Sequence, residues 1–550
     1  MPRAAAENTG GNCAKVIPVG LFVLLLLWIG GAILLAASPA TTNIPAEAQS
    51  PLRQHSPNPK PVVAPPTPAT PVAVVARQPQ QPVANNLRSP ANDGSRVDTV
   101  VEALRWWTRA PPQGGSGDWA TVFAPTKSGA TGEAAKYITF EDDTGGWNNI
   151  RMAFEGFVVA ALLTGRTLVL PPRCRFYLLD RGTIATYKKR RDTVSWYPDF
   201  YNAADLRGAL HVITTEQFIA REAARLAIPP KFVNDLNQTL YAEPKRDRRF
   251  AGNGKHTDWF LWLRDHTTRW PGYGGGGFTL EELRALSRSG GGGGRGGAGG
   301  GNMAPKMVAA RVLHFPMHVS KGMRYLGGVP SLLRRAGNPA LATAARRFVR
   351  DRLHYQPLII KLAAMVVARM RELAAANGGP GAGYSALHIR RNDFQYKTNF
   401  IAAKTSLDNV RSVFRPGETL YLATDEMSDG FFDAFHHAGF TGVYTLNDFK
   451  KAGEVLSPER LAALRLAGPL APPYPDRYSP KFDGMIEQLI CAMGRAFVGT
   501  ASSTFTAYIF RVRGYLGHNA GAEEDKCRFH TRAGGNTCLE DAGPLMWRDV

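Results

Sequence analysis

Two adjacent arginines head the chemistry of this sequence. They stand in His388-Ile389-Arg390-Arg391-Asn392-Asp393, just after a short apolar run. Guanidinium forks match phosphate oxygens bidentately, so such a pair can clamp a diphosphate, and Asp393 can hold one arginine in place. A surface arginine pair bridged by an aspartate fits the same residues equally well. No Asp-x-Asp pair of the metal-diphosphate kind occurs, because Glu141-Asp142-Asp143 and Asp425-Glu426 have the wrong spacing. The five cysteines include no Cys-x-x-Cys pair, which excludes a zinc array and a disulfide-dense scaffold.

A sheet must carry those arginines. Leu358, Leu362, Met365, Val366, Met370 and Leu373 share one face of a helix predicted over 357–376. A glycine-rich break ends it, and a strand is predicted over 385–389, directly before the arginines. Further strands are predicted over 419–423 and 496–499, with helices over 485–493 and from about 505 to 512. The first half has the same grammar: strand 137–140, a turn of Gly and Asn through Asn149, helix 150–164 and strand 167–170. That is a βαβ unit. The alternation predicts an α/β fold of two doubly wound, Rossmann-like lobes that bind ligands at the carboxyl ends of their strands. The lobe boundary is expected just beyond 272–301, a glycine-rich stretch with no side chains to bury.

At the N-terminus, residues 16–37 are apolar and uncharged, long enough to cross a bilayer at a 1.5 Å rise per residue. Arg3 and Lys15 precede this run and the next positive charge is Arg53, which places the short N-terminus in the cytosol. A cleaved signal peptide is the rival, its small residues at Ala36-Ala37-Ser38-Pro39-Ala40, but its apolar core would be shorter. A Pro- and Ala-rich stretch follows and reads as a solvated spacer. The expected order is therefore a cytosolic tail (1–15), a membrane anchor (16–37), a stem and linker (38–130), an N-terminal lobe (131–301) and a C-terminal lobe (302–550). This is the build of a type II Golgi membrane enzyme. Cys13 would be cytosolic, leaving Cys174, Cys491, Cys527 and Cys538 in an oxidising lumen. Of their three pairings, Cys527–Cys538 closes the easiest loop. Asn237-Gln-Thr is a glycosylation sequon. The 550 residues carry a formal charge of +21, with basic runs at 188–191 and 245–249. Behind an anchor these cannot easily reach nucleic acid, so a solvated basic face is expected, with no nucleic-acid partner.

Four segments in order resemble the protein O-fucosyltransferase-like superfamily of GDP-fucose-dependent enzymes, which includes the α-1,6 and α-1,2 glycan enzymes. His388-Ile389-Arg390-Arg391-Asn392-Asp393 is similar to its donor motif, and Gly145-Gly146-Trp147-Asn148-Asn149 with Arg151 to its N-terminal loop. Tyr421-Leu422-Ala423-Thr424-Asp425-Glu426 is similar to its strand-plus-Asp motif, and Gly499 through Phe505 to its Ser/Thr phosphate loop. The resemblance runs from about Tyr137 to Val512.

It implies a GT-B fold with two lobes facing a cleft, GDP-fucose as donor, a protein or glycan acceptor, inversion at the anomeric carbon and no required metal. It also implies Arg390 on the β-phosphate, stabilising charge on the departing GDP. Asn148 and Asn149 would approach the phosphates, Gly145 and Gly146 would admit backbone close to the ligand, and Ser503 and Thr504 would offer hydroxyls and N–H groups at a helix start. N-capping is the plainer role for that serine. His388, Arg391, Asp393, Asp425 and Phe505 complete the implied donor site. Some members carry a glutamate base in the glycine loop where this chain has Gly145. Asp142, Asp143 or Glu155 would serve instead, Asp143 being nearest the loop. His314, beside Phe315, is similar to a family position but is expected to be buried and structural. The alternatives are an α-1,6/α-1,2-type glycan fucosyltransferase and a silent lumenal protein binding a glycan or nucleotide.

Overall fold

The computed structural model describes residues 91–109, 119–123, 132–143, 145–174, 176, 179, 195–234, 245–246, 255–256, 258–270, 303–317, 338–378, 383–391, 400–426, 428–464, 477–518, 528–531 and 534–537. Cys13, the expected anchor, Asn237, the glycine-rich 272–301, Asp393, Cys527 and Cys538 lie outside them. Among the described residues no helix is long and apolar enough to cross a membrane. Residues 86–550 form one compact unit.

Two sheets organise that unit, giving the expected α/β, GT-B-like class. The first contains β1 (Tyr137–Phe140), β2 (Thr167–Leu170), β3 (Val212–Thr214), β6 (Thr268–Arg269) and β7 (Val312–Phe315), in the order β3-β2-β1-β7-β6, all parallel. β4 (Lys245–Arg246) and β5 (Lys255–His256) form a separate antiparallel ribbon. The second sheet contains β8 (Tyr384–Ile389), β9 (Thr419–Thr424), β10 (Gly442–Tyr444), β11 (Phe497–Thr500), β12 (Arg528–Thr531) and β13 (Gly534–Thr537). Its order is β10-β9-β8-β11-β12-β13, and only β13 is antiparallel to its neighbour. Every residue of β1, β2, β7, β8 and β11 is buried, as parallel strands covered on both faces require.

In each sheet the chain winds outward on one side of a central strand and then returns to the other side. In the first sheet the reversal falls between β1 and β7; in the second, between β8 and β11. Such switch points open a crevice at the strands' carboxyl ends. The helix Trp147–Thr164 follows β1, and Thr504–Tyr515 follows β11. One continuous core joins these two to Pro339–Arg352, Pro357–Ala376 and Asp483–Ala492, so the sheets share their middle layer.

Three expectations change. β7 belongs to the first sheet, so that sheet draws on residues beyond 302, the expected start of the second lobe. The stem ends sooner than expected. Ala91–Leu104 is a helix with Val97, Val100 and Leu104 buried, and Trp106 behind it is fully enclosed, its indole donating to the Arg350 carbonyl at 3.0 Å. Enclosing a side chain of that size contributes on the order of 3 kcal/mol, which a solvated spacer forgoes. Finally, Cys491 is a buried free thiol inside its helix, so the four downstream cysteines are not all paired.

Candidate functional site

The second switch point is built around Arg390. Its backbone N–H donates to Thr500 Oγ1 at 2.9 Å, and its guanidinium pairs with Asp425 at 2.6 Å. Thr500 Oγ1 in turn donates to the His388 carbonyl at 2.9 Å, stitching the ends of β8 and β11 together. Asp425 takes one nitrogen of Arg390. The side chain is 24% exposed, and the rest of its guanidinium has no protein partner among the described residues. A held arginine with spare donors is a ready anion ligand.

Arg391 behaves differently. It donates to Glu426 at 2.7 Å and to the Ile401 carbonyl, and its guanidinium lies between the rings of Phe400 and Phe431 at 4.5 and 4.6 Å. Its backbone N–H reaches the other oxygen of Asp425 at 2.7 Å. Successive residues at a strand end diverge, so the two arginines take different protein partners. His388 is buried as well: Nδ1 meets Thr506 Oγ1 at 2.7 Å, and the ring stacks on Phe505 at 4.6 Å. His388 and Phe505 therefore brace each other and the helix start.

The Ser/Thr loop ends in an open helix terminus. Ser503 is the N-cap of Thr504–Tyr515, yet its side chain makes no capping hydrogen bond, so the plainer role expected for it is absent. Ser502 before it has φ 61, a left-handed conformation that costs a non-glycine residue energy and tends to persist at functional loops. Gly499 has a steric reason: a Cβ there would meet Thr506 Cγ2 at 2.2 Å. Without it the helix could not start so close to β11, and the Thr500 N–H could not reach Thr506 Oγ1 at 3.1 Å.

At the first switch point, Trp147–Thr164 begins three residues earlier than predicted, which puts Asn148 and Asn149 in its first turn rather than in the loop. Its N-cap is Gly146, which has no side chain to cap with. Two helices thus start without side-chain caps, and neither has an acid in its first turn. Their starts are joined. Asn148 Oδ1 accepts from Gln488 Nε2 at 2.9 Å, and the same nitrogen reaches the Phe505 carbonyl at 3.5 Å. Uncapped N–H groups with the positive ends of the helix dipoles favour an anion at both starts.

The carboxylates of the first turn divide by environment. Glu141 is buried against Arg264, His314 and the Met317 N–H, which makes it structural. His314, as expected, is enclosed, bridging Thr139 and Glu141. Glu155 is clamped by Arg151 at 2.5 Å and by Arg511. Burial pushes its carboxyl up, but the two arginines outweigh that and hold it below its ordinary range, which rules it out as a base. Asp143, the base expected from proximity, is buried and accepts the Gly145 N–H at 2.6 Å, so it shapes the loop. Asp142 is half-buried, taking the Tyr197 hydroxyl at 2.6 Å and the Cys174 thiol at 3.0 Å. Burial raises it to about 6, with Glu141 and Asp143 adding and the two hydrogen bonds opposing.

Sequence reasoning put Thr500 in the Ser/Thr loop without a role of its own, and missed Thr506, Gln488 and Glu487. Gln488 had a signal, a polar residue inside the apolar run Met485–Met493. Glu487 is half-buried, and among the described residues its one hydrogen bond is from Tyr421 at 3.4 Å. Burial raises its carboxyl to about 8, Asp483 and Asp425 adding and Lys450 and Tyr421 opposing.

The sequence over residues 137–516 matches the family described as GDP-fucose protein O-fucosyltransferase. Among solved structures, POFUT1 in complex with GDP is 15% identical, covering 71% of this chain and 97% of that one, at a TM-score of 0.35. A mutant of FUT1 from Arabidopsis thaliana in complex with GDP is 10% identical, covering 81% and 80%, at 0.33. The fucosyltransferase NodZ from Bradyrhizobium is 14% identical, covering 69% and 94%, at 0.31. No curated protein sequence matches. With more than half its length matched, the chain belongs to the GDP-fucose protein O-fucosyltransferase family and is a glycosyltransferase.

Proposed function

We propose that this chain transfers fucose from GDP-fucose to a hydroxyl of a protein or glycan, with inversion at the anomeric carbon. The bond from that carbon to the β-phosphate oxygen breaks as a bond to the acceptor oxygen forms. The acceptor proton passes to Asp142, and the negative charge gathers on GDP. Arg390 meets that charge, aided by the open helix starts at Gly146 and Ser503. The observation that carries the reading is Arg390, fixed by Asp425 and Thr500 with guanidinium donors to spare, beside the uncapped start of Thr504–Tyr515. Asp142 replaces Asp143 as the base because burial raises its carboxyl to about 6 and because Asp143 is spent on holding the Gly145 N–H. Ser503 and Thr504 face the phosphates, while Asp425 and His388 act by holding Arg390 and the helix start. Residues 16–37 anchor the enzyme as a single-pass type II protein in the Golgi membrane, its catalytic unit lumenal.

The test incubates the full-length chain with GDP-fucose and a panel of folded protein domains and N-glycans. GDP release and the anomeric configuration of the product are measured. The expected result is a fucosylated acceptor of inverted configuration, lost in Arg390→Ala. A wild-type protein that neither binds nor consumes GDP-fucose would overturn the reading.

A further inference from the structure

Gln488 sits where the two open helix starts meet, and it is fully buried. Among the described residues its side chain has three hydrogen-bond partners. Oε1 accepts from the Tyr355 hydroxyl at 2.8 Å, while Nε2 donates to Asn148 Oδ1 at 2.9 Å and reaches the Phe505 carbonyl at 3.5 Å. One of these contacts sets the orientation of the amide. The Phe505 carbonyl can only accept, so the end of Gln488 facing it must be the NH2 group. That same NH2 group meets Asn148, which must answer with its oxygen. Asn148 is thereby fixed with Oδ1 inward and Nδ2 turned the other way. Among the described residues Nδ2 has no protein partner.

We infer that Gln488 is a positioning residue for donor binding, setting which end of the Asn148 amide faces the phosphates. This rests on the donor reading above and deepens it. An amide set the right way adds two N–H donors to an anion site at a helix start; turned over, it offers an oxygen that repels the same anion. Gln488 also ties the asparagine turn of the first sheet to the Ser/Thr loop of the second, so both phosphate-facing elements take their register from one side chain.

Gln488→Glu tests this without changing shape. Assayed at roughly pH 9, above the value of about 8 to which burial raises neighbouring Glu487, the introduced acid is a carboxylate that only accepts, so Asn148 must turn over to donate Nδ2 and leave Oδ1 toward the donor. Calorimetry of the full-length chain with GDP is run on wild type, Gln488→Glu, Asn148→Ala and the double variant. Gln488→Glu is expected to weaken GDP at least tenfold and to raise the donor KM by more than it lowers kcat. In the Asn148→Ala background the same change is expected to alter the Kd less than twofold, because the group it acts through is gone. An equal fold-loss in both backgrounds would overturn the positioning role while leaving the donor reading intact. Absence of GDP binding by the wild type would instead overturn the donor reading and this inference with it. Should Gln488→Glu fail to fold, Gln488→Met removes the orienting contacts at similar length. It is expected to weaken GDP three- to tenfold, again only when Asn148 is present.

Discussion

The two switch points differ in sign. The turn after β1 gathers Glu141, Asp142 and Asp143 with one helix start, whereas the ends of β8 and β11 present Arg390, Thr500 and the Ser503 helix start. On the first side the carboxylates are mostly tied inward, two of them buried, and the third is left half-buried and basic. On the second side a cation is held open by an acid behind it. Reaction chemistry of the proposed kind needs that asymmetry: an acceptor for a proton at one place and a sink for negative charge at another. Holding both in fixed positions removes the reorganisation that water would require.

Arg390 and Arg391 give the comparison its hardest test, since they are neighbours with different surroundings. Arg390→Ala is expected to lower kcat/KM by about 10³, in the range for removing a donor to a charge that develops in the transition state, with little change in Tm. Arg391→Ala is expected to do the reverse. It strips Glu426 of its ion pair and empties the slot between Phe400 and Phe431, costing about 1–3 kcal/mol of stability while the GDP affinity stays within threefold. Matching losses of turnover in both variants would mean that the two arginines act together as a clamp after all.

On the acidic side the expected effect is smaller and is visible in pH. With its carboxyl raised to about 6, Asp142 would lose activity as the pH falls through that value, because the protonated form cannot take the acceptor proton. Asp142→Asn is expected to lower kcat about 10²-fold and to remove that acidic limb. Asp143→Asn leaves the limb in place. If Asp143→Asn abolishes the limb instead, the roles of the two acids are exchanged.

The order of elements was legible because it rests on local patterns. Buried parallel strands such as 137–140 and 385–389 read as short, mostly apolar or β-branched runs, and the helix 357–376 as one periodic face. The arginine motif was legible too, but its geometry was not. Whether Arg390 or Arg391 faces a ligand depends on which partner, Asp425 or the ring pair, captures each guanidinium, and those partners come from more than ten residues away except Phe400. Distance along the chain also hid Gln488, 340 residues from Asn148. The early start of Trp147–Thr164 was hidden by its own first turn, since glycine and asparagine read as a loop until a helix dipole end is wanted there. Asp142 and Asp143 are adjacent and alike in sequence; only burial and the capture of Gly145 separate them.

The smallest expected effect concerns Glu487, which stands behind Asp425 on the cationic side and yet carries no ion pair among the described residues. Its folded carboxyl is raised to about 8 from an ordinary 4.5. The folded protein therefore keeps a proton that the unfolded chain releases between those values. Stability linked to this group is fully present below about pH 4.5 and is lost as the pH rises toward 8. Glu487→Gln keeps an acceptor for the Tyr421 hydroxyl and removes the titration. The variant should melt like the wild type at pH 4 and a few degrees higher at pH 8, with the difference growing smoothly between. Thermal unfolding at four pH values measures it. A constant offset would mean that the gain comes from packing, and a variant less stable at pH 8 would mean that Glu487 is ionised there and paired with Lys450. GDP added at saturation sharpens the result. A ligand that brings its own negative charge beside Asp425 should hold the proton on Glu487 more firmly, moving the wild-type transition to higher pH and leaving Glu487→Gln unmoved.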